Sequence, residues 1–285
     1  MKTPSIKKIS VATAAAIIAL GGPAFGSTVN ILWYTGGAEA TGAGTYEAKM
    51  NALAAAENSA FNVSGSINTW NITYWTGGAK PVGTFNVLVA ASREGSWSTF
   101  PNYTSLLAGV TGASFGDRVM LTGQDADWHD TFSPGSGSFN GPAGFLIDAI
   151  NWAGSGTGMG GVLLSTGVEA TLFPSSTGLG DGIANDTVNI PAAFATFPIN
   201  AGLTSAGLSN WGTSAHDEFD GFSTSDWTAI NVNGNGNAIT LVSKATASGG
   251  TSVPDSGSTF GMLFLALVSC VGIRHMGRRL SPAVS

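Results

Sequence analysis

Five short apolar runs alternate with helix-forming segments over the first 165 residues, and this alternation constrains the fold more than any other feature of the chain. Residues 29–34 (VNILWY) are β-rich and stop at Thr35-Gly36-Gly37. Residues 45–57 (TYEAKMNALAAAE) are strong helix formers, with Met50, Leu53 and Ala54 on one face. Strands are predicted at 71–75 and 85–90, a weaker helix at 103–110, and a fourth strand at 118–122 that ends at Gly123. Residues 142–152 (PAGFLIDAINW) form a helix opened by Pro142, where proline is favoured, and 161–165 supply a fifth strand. Strands and helices alternating at this spacing imply parallel pairing. The expected fold is a three-layer α/β sandwich around a central, mostly parallel sheet. Beyond Gly167 the regularity gives way to Gly, Ser, Pro and Asn, which predicts loops with short strands at 187–190 and 238–242.

The two ends follow different rules. Lys2, Lys7 and Lys8 precede an apolar run at 11–20, then Gly21, Gly22 and Pro23, then the small-x-small site Ala24-Phe25-Gly26. That run is far shorter than the ~20 residues of a spanning helix, so residues 1–26 read as a signal peptide for signal peptidase. A Ser/Thr/Gly linker at 245–252 leads into Val253-Pro254-Asp255-Ser256-Gly257, an apolar segment at 259–273, and Arg274, Arg278 and Arg279. The positive-inside rule holds that last cluster on the cytoplasmic side.

Motif, apolar helix and basic tail, in that order over residues 253–285, closely resemble the VPDSG variant of the PEP-CTERM sorting signals handled by exosortases. The resemblance implies transient membrane anchoring through a C-terminal helix, processing near the motif by an exosortase-type enzyme, and delivery to the cell envelope, outer surface or extracellular matrix.

Removing the ends leaves a body at 27–244 with five cationic side chains against sixteen acidic ones, close to −11, where the whole chain is −6. Such a charge opposes phosphate backbones, so nucleic acid is excluded as a partner. The one cysteine, Cys270, lies in the apolar segment of the tail, which leaves the body without a disulfide or a thiol nucleophile.

The order of strand starts, the GPAGFLIDAINWA helix and the later GLTSAGLSNWGTSAHDEFD segment resemble the class I glutamine amidotransferase-like superfamily, with its flavodoxin-like sheet, and within it the ThuA-like branch. In amidotransferases the catalytic cysteine stands on a sharp turn after a central strand. The matching turn here, Thr122-Gly123-Gln124-Asp125, has none. Glutamine hydrolysis by a thiol is therefore out of reach.

Ligands of open α/β sheets sit beyond the C-terminal ends of the strands. Polar residues gather there in two groups, Gln124-Asp125-Ala126-Asp127-Trp128-His129-Asp130 and His216-Asp217-Glu218-Phe219-Asp220, and each holds one of the body's two histidines. Three readings stay open. In the first, Asp125, Asp127 and His129, completed by His216, Asp217 or Glu218, ligate a divalent metal, or a histidine beside a carboxylate acts as catalytic base, with His129, His216 and Asp125 the catalytic candidates. In the second, the carboxylates cap turns and helix starts. In the third, Gln124, Asp127 and Trp128, with Trp33, Trp75 and Trp97 near strand ends, bind a polysaccharide without catalysis, the aromatic faces stacking on sugar rings. The glycine-rich 178–182 run beside Asn185 and Asp186 lacks the lysine of a phosphate loop and the closing glutamate of a calcium loop, and reads as a flexible loop.

The expectation is thus an exported, surface-sorted, non-catalytic α/β protein that binds carbohydrate. The alternatives are a metal-assisted or carboxylate-based hydrolase acting on sugars, and a structural matrix component.

Overall fold

The computed structural model describes residues 28–35, 43–57, 68–76, 79–92, 115–132, 137–164 and 179–244. All of them belong to one compact unit, Gly26–Thr246. The signal peptide, the 103–110 helix, Trp97, the linker and the sorting signal lie outside the described residues. Among the described residues no helix is long and apolar enough to cross a membrane.

The fold is mixed α/β, on a ten-stranded sheet. Strands β1 (Thr28–Tyr34), β2 (Thr69–Trp75), β3 (Val87–Ala90), β4 (Phe115–Thr122) and β5 (Met159–Leu164) pair in parallel in the order β2-β1-β3-β5-β4. Compared with the flavodoxin-like order 2-1-3-4-5, the last two strands are exchanged. β4 thereby borders a second, antiparallel half of the sheet: β6 (Leu179–Asn185), β7 (Val188–Asn189), β8 (Ala215–Phe219), β9 (Trp227–Asn233) and β10 (Ala238–Ser243). β7 and β10 are the short strands expected at 187–190 and 238–242, whereas β6, β8 and β9 form where loops are expected. β10 runs antiparallel to both β4 and β9, and β6 pairs with β8, so the glycine-rich 178–182 run is largely strand and not a flexible loop.

Alternation along the parallel strands divides the core cleanly. Val29, Ile31, Trp33, Val87, Val89, Met120, Val162 and Leu164 face one way, and Leu32, Tyr34, Leu88, Ala90, Val119, Leu121 and Leu163 face the other. The first face is covered by helices α1 (Ala43–Glu57), α2 (Ala126–Phe132) and α3 (Pro142–Gly154), whose buried apolar side chains all join that cluster. α1 buries Tyr46, Met50, Leu53 and Ala54 at helical spacing, but Glu57 is buried with them, so the expectation that its acids lie on the opposite, solvent face fails at that residue. α3 is buried from Pro142 to Ala153, its apolar residues joined by the buried polar side chains of Asp148 and Asn151. Gly160 lets it sit on the sheet, since a Cβ there would lie 2.2 Å from the Ala153 carbonyl oxygen. On the second face Phe219, Trp227, Ala238 and Leu241 complete the core.

One buried polar network ties these layers together. Trp70 Nε1 donates to Asn151 Oδ1 at 2.8 Å, and Asn151 Nδ2 donates to Glu57 Oε1 at 2.7 Å. It joins β2, α3 and the end of α1.

Candidate functional site

The site grows from the turn after β4. Gly123 N donates to the Ile239 carbonyl on β10, and the Gly123 carbonyl accepts from His216 N on β8, both at 2.8 Å. A side chain at residue 123 would forbid this approach, because a Cβ there would meet the Asp217 carbonyl oxygen at 1.9 Å. Glycine is therefore what allows the first residues of β8 to lie against the end of β4. That contact brings the two histidine groups together.

Asp125 immediately precedes α2, and its carbonyl accepts the His129 amide at 3.1 Å, the position of an N-cap. Its side chain does not cap. Neither carboxylate oxygen receives a directed hydrogen bond, although the residue is fully buried. The carboxylate instead lies between two imidazoles, with His129 Nε2 at 3.1 Å from Oδ1 and His216 Nε2 at 3.4 Å from Oδ2. The rings are 6.4 Å apart and 22° from parallel. For Asp125 the capping reading of these carboxylates is set aside.

Each histidine has its own support. His129 follows Asp125 by one helical turn, its Nε2–H donates to the Thr213 carbonyl at 2.8 Å, and its ring packs 5.5 Å from Trp211. Asn210, with φ 63°, and Gly212, with φ 99°, form the left-handed turn that aims Thr213 inward. His216 is the member that reaches solvent, with 22% of its side chain exposed. Burial is the largest influence on the Asp125 carboxyl and pushes it up, yet the two imidazoles together outweigh it and hold the group below its usual range. For His129 burial pulls down, and the Asp125 carboxylate with the Thr213 carbonyl raises it on balance. The cluster thus favours an ionised Asp125 beside a protonated His129.

The remaining candidates take other roles. Asp127 is fully buried and its Oδ2 accepts from Tyr46 Oη at 2.7 Å and from Ser92 N at 2.9 Å, while Trp33 Nε1 donates to the same Tyr46 oxygen at 2.9 Å. This chain fastens β1, α1 and the end of β3 to α2, and burial lifts the Asp127 carboxyl to about 6. Glu218 accepts from Asn233 and Asn237 Nδ2, at 2.8 and 2.9 Å. Asp217, next to His216 on an extended strand, is directed to the opposite face. Asp127, Asp217 and Glu218 therefore stand outside the metal-ligand set expected of them. Asp125, His129 and His216 remain, with ligand atoms all within 4.8 Å of one another.

The tryptophans are corrected too. Trp33 and Trp75 are 0% and 3% exposed, held in the two apolar clusters, and present no face to a sugar. Trp128 is half-buried. Gln124 is buried, its Oε1 accepting from Thr240 Oγ1 at 3.4 Å and its Nε2 without an acceptor.

Sequence reasoning passed over Tyr46 and Thr213. Tyr46 was hidden as one more apolar position of an amphipathic helix. The Asn-Trp-Gly-Thr run of 210–213 carried a turn signal that could have marked Thr213.

The turn after β4 also lacks the strain of a nucleophile elbow. Asn210 is the sole non-glycine residue of positive φ among the described residues, so Gln124 and Asp125 both take ordinary backbone conformations. No family model, no curated protein and no solved structure matches this chain.

Proposed function

We propose that this chain is an exported protein, sorted to the envelope or matrix through its C-terminal signal, whose α/β domain hydrolyses a bond in a neutral glycan at the Asp125–His129–His216 cluster. One observation carries the reading: histidines from separate parts of the chain converge on a single buried carboxylate at the C-terminal end of β4. A carboxylate is buried only where other groups compensate its charge, and for Asp125 the compensation comes from two imidazoles, not from hydroxyl or backbone donors. The chemistry the cluster supports is activation of water, by imidazole as base or by a metal ion, with Asp125 fixing the charge. A route through two carboxylates has less support, because Asp127 is committed to Tyr46 and Ser92. The substrate class follows from charge and place: a body near −11 repels anionic substrates, and the envelope presents polysaccharide.

The test is a panel of polysaccharides, acylated sugars and chromogenic glycosides. Turnover of at least one is expected, with a loss of ~100-fold or more in His216→Ala. Absence of turnover on the whole panel, or an unaffected variant, removes the hydrolase reading.

A second reading, non-catalytic glycan binding, is favoured by the closure of the site. Asp125 and Gln124 are fully buried and His129 is 5% exposed, which suits holding a ligand more than turning it over. Binding on a glycan array by a protein that hydrolyses none of the bound glycans would select it.

A further inference from the structure

We infer that Asp125, His129 and His216 bind one divalent transition-metal ion of borderline softness, zinc(II) or a neighbour in the first-row series, in preference to calcium or magnesium. The inference rests on reading this cluster as the working site, and it names the group that would do the work.

Three observations carry it. The first is geometric: one oxygen and two imidazole nitrogens lie within 4.8 Å of one another, supplied by the β4–α2 turn, α2 and β8. These elements are locked together by the Gly123 contacts, so the donors need no gathering.

The second is an unmet need. Asp125 is fully buried, both its oxygens lack a directed donor, and both face imidazole nitrogens. An ordinary buried carboxylate accepts several N–H or O–H bonds, as Asp127 does from Tyr46 and Ser92. A cation between Asp125 and the imidazoles supplies what donors do not. His129 Nε2 stands between two oxygens, Asp125 Oδ1 at 3.1 Å and the Thr213 carbonyl at 2.8 Å, and its one proton cannot serve both. An ion held by His129 takes the place of that proton on Nε2, giving up the Thr213 bond, or uses Nδ1, which is buried and has no hydrogen-bond partner.

The third is donor type. Calcium and magnesium favour sets made of oxygen, whereas a carboxylate with two imidazoles suits zinc, cobalt, nickel or iron. The other acids do not convert the set into an oxygen cage, since Glu218 is held by Asn233 and Asn237 and Asp127 by Tyr46. Three protein ligands also leave a coordination position for water or substrate.

The experiment uses the untagged full-length chain, stripped with chelator and titrated calorimetrically with zinc(II), then with cobalt(II) followed by its visible absorption. One ion per chain is expected, with nitrogen-type cobalt bands and no displacement by calcium or magnesium. His216→Ala, at a partly exposed position that tolerates truncation, should weaken binding at least ~10-fold. His275→Ala, in the tail, should not weaken it. Absence of zinc binding, or His216→Ala binding as the parent does, overturns the inference. Hydrolysis that persists undiminished in the metal-stripped chain overturns it as well while leaving the hydrolase reading intact. Zinc bound tightly by a chain that hydrolyses nothing upholds the metal site and removes the hydrolase.

Discussion

The amide of His216 donates to the carbonyl of Gly123 at 2.8 Å, and through this bond an antiparallel strand late in the chain delivers its imidazole to a carboxylate at the end of a parallel one. The contact depends on residue 123 having no side chain.

Gly123→Ala should therefore act on both stability and site. The added methyl meets the Asp217 backbone, which cannot give way as a flexible side chain would. A loss of about 1–3 kcal/mol in urea unfolding is expected, the usual range for overpacking, together with separation of the His129 and His216 imidazole signals from their parent positions. Parent-like stability and spectra would show that β8 does not press on this turn.

Asp127 makes a prediction about pH. Its folded-state pKa is raised from 3.8 to about 6 by burial, so the folded chain takes up a proton more readily than the unfolded one. The group's contribution to stability is complete below about 3.8 and fades as pH rises through about 6, a change of at most ~3 kcal/mol. Asp127→Asn keeps an oxygen for Tyr46 Oη and Ser92 N and removes the charge. Denaturation of metal-stripped protein between these pH values should show the parent losing more stability than the variant. Parallel curves would mean that Asp127 carries no buried charge.

Tyr46 is the hinge of the same chain of bonds, accepting from Trp33 and donating to Asp127. Tyr46→Phe strands the Trp33 N–H in the core and should cost about 1–3 kcal/mol in thermal or urea unfolding. A change within a few tenths would place the anchor of α1 elsewhere.

The parallel half of this fold was legible because β1, β3, β5 and the end of β4 are buried on both faces and read as continuous apolar runs. β1, β3, β4 and β5 lie where the runs are, and α1 and α3 where the helical pattern is. Of the antiparallel half only β7 and β10 were legible, as short strands at 187–190 and 238–242. β8 (AHDEF) buries Ala215, Asp217 and Phe219 in alternation, and a buried aspartate disguises that pattern as a polar loop. α2 (ADWHDTF) is short and acidic, and read as a cluster of ligands instead of a helix. The candidate site was found in outline, since both histidines and Asp125 were singled out. What sequence could not supply was the pairing of β10 with β4 and the Gly123 contact with β8, which decide that these three converge and that Asp127, Asp217 and Glu218 do not.

The sorting signal gives a prediction of its own. If the C-terminal segment acts as its resemblance to exosortase substrates implies, mass spectrometry of the protein recovered from the envelope or matrix will lack residues 274–285 and begin near Ser27. An intact tail on surface material would contradict processing.

The most direct test of the shared carboxylate is imidazole nitrogen NMR of the histidine-labelled, metal-stripped chain across pH, parent against Asp125→Asn. Because Asp125 holds His129 up, His129 should titrate at a lower pH in the variant, and the His216 signals should move with it. If either imidazole is indifferent to the loss of the Asp125 charge, the two histidines do not share it, and the site described here does not exist.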